Sequence, residues 1–505
     1  MKPIRITLIA ASVALAGCSV SPQQLSMQEM RDINLADRAS SVDLAEPVSG
    51  AVTLEEAIAR ALKYNLDQRV KMLEQSLRSG ELEAGKYDML PKLMANAGYD
   101  WRDSFSHRYS APFSAPGDID KTSMPDVSVD PEHGTWDLNL SWNVLDFGAS
   151  YYTAKQNADK LLIANEKRRR AMHTLVQNVR KAYWRAVAAE SLSTRVADTI
   201  QDAERALQES EKLAAERVSS PDESLRYQRN LLENLRLMES VQRELASARI
   251  ELSQLMGMLP GTKFELVEPK AELTVINASV EDMEARALTQ NADLREQFFN
   301  ARIAVEDTRK ALLKLLPGIS FDYGTYYDTD RYLVNDNWRA AGVSVSYNLF
   351  NLLSATSRMD AADKNEALAN ARRMALQMSV LTQVHLSIHN YNDAMRQFQR
   401  ADQIFNVDKQ LEEIVRGRFE GNMASEQTKI AANVTTILSE LRRYQAMSKF
   451  QEATGQLQAS MGMEPAIGSV DEIALGDLTD QVGAWMQGGF SAETVSLPEE
   501  TPEGA

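Results

Sequence analysis

The chain has 505 residues, a formal net charge of −16 and 25% charged residues against 44% hydrophobic ones. An acidic balance of that size excludes the basic surface that nucleic acid requires as a partner. The length suggests more than one domain, and no run reaches the roughly 18 apolar residues of a membrane-spanning helix.

The first residues, "MKPIRITLIAASVALAGCSV", have a short basic start (Lys2, Arg5), an apolar run from Ile6 to Ala16 and then small residues. That is an export signal over residues 1–17, set aside before any reasoning about the fold. It ends in Leu15-Ala16-Gly17-Cys18, which resembles the lipobox of bacterial lipoproteins. The resemblance implies cleavage before Cys18 and a covalent lipid on it, an anchor that does not span the bilayer. Ser19 follows where lipoproteins of the inner membrane carry Asp, which favours the outer membrane. Cys18 is the single cysteine of the sequence. Residues 18–51 then read as a lipidated linker.

The rest of the chain is a tandem repeat. "ARALKYN" (59–65) returns as "ARALTQN" (285–291), Leu90-Pro91 as Leu316-Pro317, "SWNVLDF" (141–147) as "SYNLFNL" (346–352), and "LMGMLP" (255–260) as "SMGMEP" (460–465). These pairs define a first repeat over 52–260, a linker over 261–278 and a second repeat over 279–465. An acidic tail follows over 466–505, predicted as a partly disordered cap. The first copy holds a longer connection at 104–134, rich in Pro, Ser and Asp, which predicts a loop.

Each repeat predicts the same order of elements. A helical segment (52–89 and 279–315) ends before Leu-Pro, because proline cannot continue it. A strand follows: Leu93, Ala95, Ala97, Tyr99 and Trp101 alternate with polar or small residues, as do Ile319, Phe321, Tyr323 and Tyr327 in the second copy. A second strand comes next. Trp136, Leu138, Leu140 and Trp142 alternate with Asp137, Asn139, Ser141 and Asn143, and its counterpart carries Ala341, Val343, Val345, Tyr347 and Leu349. Then comes a very long helix (149–217 and 354–417), which at 1.5 Å per residue spans roughly 100 Å. A last helix returns (221–256 and 424–461). Leu231, Met238, Leu245 and Leu252 recur every seven residues along it, with Val241, Ala248 and Leu255 between them, a coiled-coil seam.

Four strands of about ten residues each suit a bilayer crossing when tilted. Trp101, Trp136, Trp142, Tyr323, Tyr327 and Tyr347 stand where membrane-interface aromatics would. A soluble sheet packed on helices is the alternative. If lipid covers the apolar face, bare sheet edges are excluded, and several chains must contribute to one barrel. The fold class predicted is mainly α with a transmembrane β-barrel.

The lipobox, the tandem copies, the two strands per copy and the paired long helices together resemble the TolC-type outer-membrane factors, and most closely their lipidated branch serving multidrug efflux. The resemblance covers residues 50–465. It implies a homotrimer with a 12-stranded barrel in outer-membrane lipid and a periplasmic helical tunnel. It also implies a periplasmic adaptor (membrane fusion protein) and an inner-membrane transporter as partners, with no cofactor beyond the lipid on Cys18. Cargo would pass without catalysis. Family tips are often narrowed by acidic rings, which makes Glu420, Glu426, Asp222 and Glu223 the aperture candidates; ordinary solvated turn acids and helix N-terminal charges are the alternative reading. Arg217, Ser220, Arg418, Gly421 and Asn422 are the docking or tip-latch candidates. The tip "RFEGN" (418–422) is one residue shorter than the family's pattern and has Glu426 instead of a following Asp.

Other chemistry has little in its favour. His385 and His389 are four apart on a helix, but Leu386 stands where a zinc-site Glu is needed. The run Lys167-Arg168-Arg169-Arg170 reads as a solvated helix face or an inter-helix ion-pair site. Two further functions remain open: the outer-membrane component of type I protein secretion, and a structural coiled-coil lipoprotein of the envelope.

Overall fold

A computed structural model describes residues 24–109, 121–122, 124–215, 221–270, 273, 278–465 and 470–487. Cys18, Arg217 and Ser220 lie outside the described residues. After helix α1 (Met27–Leu44), the first repeat runs α2 (Leu54–Tyr64), α3 (Leu66–Tyr87), β1 (Lys92–Trp101), β2 (His107–Arg108), β3 (Asp126–Val127), β4 (Glu132–Asn143), α4 (Val144–Ala215) and α5 (Pro221–Leu255). The second runs α6 (Val280–Gln290), α7 (Ala292–Leu313), β5 (Gly318–Asp328), β6 (Asn337–Ser346), α8 (Phe350–Glu420) and α9 (Glu426–Ser460), followed by α10 (Leu475–Gln487).

Three expectations are refined. The segments predicted as one helix at 52–89 and at 279–315 each break at the asparagine of the repeated motif. Asn65 leaves helical geometry, and its side-chain oxygen accepts from the Gln68 amide at 3.1 Å, so it ends α2 and caps α3. Asn291 does the same for α6 and α7, accepting from the Asp293 and Leu294 amides. Within 104–134, the two-residue strands β2 and β3 pair antiparallel. In the tail, α10 is an ordered helix whose Leu478 and Val482 are fully buried against α2.

The long helices start where the repeated "S-W/Y-N" places an asparagine. Asn143 Oδ1 accepts from the Leu145 and Asp146 amides (2.9 and 3.1 Å), and Asn348 Oδ1 from the Phe350 amide (3.0 Å). In the first copy the strand therefore ends in the residue that caps the next helix, and in the second Asn348 stands two residues past the end of β6. The predicted heptad holds: Leu231, Met238, Val241, Leu245, Ala248 and Leu252 are all buried where α5 packs along α4. Buried residues of α2, α4, α5 and α9 belong to one core cluster. In it Val52 bridges to Leu266 of the linker, and the Tyr183 hydroxyl lies 2.8 and 2.6 Å from the Val52 and Val267 carbonyls.

The run at 167–170 is an inter-helix ion-pair site. Arg170 pairs with Asp293 and, at 3.1 Å, with Glu296, while Arg169 reaches Glu464 and Glu166. His385 bonds Glu284 at 2.6 Å, and no group of three or more His, Cys, Asp or Glu that could hold a metal occurs among the described residues.

Candidate membrane sheet and helical tip

Strands β1, β4, β5 and β6 form one antiparallel sheet in that order, with β1 and β6 as its edges. Directly opposed residues share a face. Along one face run Trp142–Phe321–Val343, then Leu93–Leu140–Tyr323–Ala341, then Ala95–Leu138–Thr325–Arg339, then Ala97–Trp136–Tyr327–Asn337. Along the other run Lys92–Ser141–Asp322–Gly342 and Asn96–Asp137–Tyr326–Trp338, with Asn96 donating to Asp137 at 2.9 Å.

The burial is inverted relative to a soluble sheet. Trp136, Leu138 and Leu140 are 50%, 41% and 40% exposed, while the alternate residues Asp137, Asn139 and Ser141 are partly covered. At the helical end Phe147 of α4 packs edge-on against Trp142, 5.7 Å between centroids, while Trp136, Leu138 and Leu140 stay open. The aromatics of the apolar face form two bands: Trp142 stacks on Phe321 (5.9 Å between centroids) near the helical end, and Trp136 on Tyr327 (5.6 Å) near the loop end. Six residues at about 3.4 Å each separate the bands by about 20 Å along the strand, which suits a tilted crossing of an apolar band about 25 Å tall. Trp101 and Tyr323 lie exposed on the same face. Tyr347 lies just past the end of β6, half-buried. Sequence reasoning missed Trp338, the second residue of β6, which lies on the polar face and stacks on Tyr326 at 5.5 Å. Register alone assigns it there, and the sequence around it carries no alternation strong enough to fix that register.

The helices also leave apolar stripes without a partner. On α3, Leu66, Val70, Leu73 and Leu77 are each at least half exposed, and near the far end of α8 Ile404, Val407, Leu411 and Ile414 are about half exposed. Spacings of three and four residues place each set on one seam of a coiled coil.

At the far end, α8 and α9 meet in a tight turn. Gly421 donates to the Gly417 carbonyl, Met423 to Arg418 at 2.7 Å, and Asn422 takes a positive φ of 58°, which Asn tolerates better than most residues. Ser425 caps α9, and Glu426 occupies its first turn. Arg418, Glu420, Gly421 and Asn422 are exposed, and neither Arg418 nor Glu420 has an ion pair among the described residues. Asp222 pairs with Arg226 on its own helix at 3.2 Å, and Glu223 stands beside it in the exposed first turn of α5. Burial pushes the Tyr227 phenol of α5 upward, and the charges of Glu426 and Glu209 push it further. Glu426 therefore lies close to the first hairpin. Behind the tip, Lys429 pairs with Asp202 (3.3 Å), Arg443 with Asp402 (2.6 Å), and Arg195 with Glu412 (3.2 Å) and Glu440.

No protein-family model and no curated protein sequence matches the chain. Solved structures do. The chain superposes on the CmeC outer membrane channel of Campylobacter jejuni with a TM-score of 0.64 at 13% identity, covering 85% of this chain and 89% of that one. The open state of the MtrE outer membrane channel of Neisseria gonorrhoeae gives 0.61 at 16%, covering 81% and 89%. The outer membrane protein VceC of Vibrio cholerae gives 0.59 at 14%, covering 81% and 97%. The chain has the TolC-like outer-membrane channel fold. In this chain the four-stranded sheet has two open edges, and the long hairpins project from one end of it.

Proposed function

We propose that the protein is the outer-membrane exit duct of a tripartite export system. Three copies join their sheets edge to edge into a 12-stranded barrel, and the hairpins line a periplasmic tunnel. Cargo moves passively from an inner-membrane transporter and a periplasmic adaptor to the outside. One observation carries this reading: a four-stranded sheet with an exposed apolar face, aromatic bands about 20 Å apart and two open edges. Bare edges are untenable in lipid, and four strands are too few to close. The unpartnered seams of α3 and α8 offer surfaces for the same neighbours. A coiled-coil scaffold has no use for such a sheet.

The tip residues Arg418, Glu420, Gly421, Asn422 and Glu426, with Asp222 and Glu223, form the aperture and adaptor surface in this reading. Lipid on Cys18 adds a second attachment beside the barrel. Native mass of the detergent-extracted protein tests the assembly. Three chains per particle, forming ion-conducting pores in planar bilayers, are expected; a monomer without channel activity returns the scaffold to the front.

A further inference from the structure

Residues of α2, α4, α9, α10 and the inter-repeat segment line a half-open cavity of about 540 Å3. Arg180, Trp184, Gln458, Lys270, Glu55 and Gln487 are among its lining. Arg180 is only 3% exposed. Its Nη1 donates to the Gln458 amide oxygen at 3.0 Å, and its guanidinium lies 5.0 Å from the Trp485 ring of α10. No carboxylate pairs with it among the described residues, and its Nε is buried without a partner. The indole N–H of Trp184, itself 3% exposed and one turn further along α4, is also unpartnered.

That is anomalous within this molecule. The other covered arginines have their acids: Arg60 is 2% exposed and held by Glu56 at 2.7 Å, and Arg169, 13% exposed, is held between Glu166 and Glu464. A buried cation without an anion is strongly unfavourable unless something supplies the charge. Burial lowers Arg180 to about 10, which leaves it charged at neutral pH. Lys270 in the lining adds positive charge, and Glu55, also in the lining, makes no ion pair with either.

We propose that this cavity is a carboxylate-binding site, with Arg180 as the charge partner and the Trp184 N–H as the neighbouring donor. The nearest source is the chain itself. Gln487 delivers α10 to the cavity rim, and residues 488–505 contain Glu493, Glu499, Glu500 and Glu503 with no Lys or Arg. Six residues reach at most about 20 Å, enough to bring Glu493 back to the cavity. A carboxylate from another molecule is the second source.

Calorimetric titration with glutarate in a chloride buffer tests both on the full-length protein. The variant with all four tail glutamates changed to Gln is expected to bind glutarate saturably. Adding Arg180→Gln should weaken that binding at least about tenfold, the worth of a charge-assisted hydrogen bond. Trp184→Phe keeps the ring and loses the donor, so a smaller weakening is expected without the risk of a collapsed cavity. If the unaltered protein binds glutarate about tenfold more weakly than the four-glutamate variant, the tail occupies the site; equal binding assigns it to an external carboxylate. Absence of saturable binding in both, or affinity unchanged by Arg180→Gln and by Trp184→Phe, overturns the proposal.

Discussion

Asn65 donates from its side-chain amide to the Leu255 carbonyl at 3.2 Å, tying the start of α3 to the end of α5 across 190 residues of chain. Asn291 repeats the bond to the Ser460 carbonyl at 3.0 Å. The two sequence motifs of each repeat thus meet in space, one supplying the asparagine and the other a glycine in the next turn. Gly257 and Gly462 take φ values of 72° and 66°, and a β-carbon on either would collide with the Tyr64 or Gln290 backbone.

Gly257→Ala and Gly462→Ala should therefore each destabilise the folded chain by about 1–3 kcal/mol, from left-handed strain plus displacement of the facing backbone. Asn65→Ala should cost about 1–2 kcal/mol through loss of the helix cap. Denaturant unfolding in detergent measures all three. Wild-type midpoints in both glycine variants would mean that the backbone contact is soft.

The sequence carried the repeat, the strand alternation and the α5 heptad because each is a periodic signal written within one element. What it hid depends on contacts between elements. Asn65 and Asn291 were visible as repeated letters, yet their role in splitting one predicted helix into two requires the partner carbonyls of Leu255 and Ser460. The order of α10 was hidden in the same way, since its Leu478 and Val482 gain stability only against α2. At the tip, residue types alone could not pair Glu426 with Tyr227, because those residues sit on different hairpins.

Leu140 and Ser141 are neighbours on opposite faces of β4. Leu140→Arg places a cation in lipid, at a cost of about 2–4 kcal/mol per chain near the bilayer centre. Ser141→Arg points to the polar face beside Asp322, where a charge is solvated. Leu140→Arg should sharply reduce heat-stable oligomer in the outer membrane, whereas Ser141→Arg should assemble and alter ion selectivity. Equal assembly of the two would contradict lipid contact at the apolar face.

Glu464, just past the end of α9, ties that end to α4 by accepting from Arg169 Nη2 at 2.9 Å and lying 3.1 Å from His173 Nε2. Burial alone would raise this carboxyl, but the bonds to His173 and Arg169 outweigh it and hold it below its ordinary 4.5. A carboxylate depressed on folding contributes stability that is fully present above its unfolded pKa and is lost as pH falls through the folded value. Unfolding midpoints should therefore drop on acidification below about pH 5, and Glu464→Gln should lower the neutral plateau and flatten the acid limb. An acid limb as steep as wild type in the variant would assign the pH dependence to other groups.

Glu420 and Glu426 flank the turn between α8 and α9, the first exposed and the second half-buried near Tyr227. If the tip is the narrow end of the duct, three copies bring six carboxylates to one constriction, and cations there outnumber anions. Glu420→Lys and Glu426→Lys should each shift single-channel conductance and reduce cation preference, most strongly at low salt, where screening is weak. Unchanged currents in both variants would remove these residues from the aperture. Glu426→Gln supplies an independent readout. Removing its charge takes away the second cause of the Tyr227 shift and leaves burial and the charge of Glu209, so the tyrosine titration should move down without returning to its ordinary value. A shift in Tyr227 with no change in current would keep Glu426 at the contact between the hairpins while placing the constriction elsewhere along the tunnel.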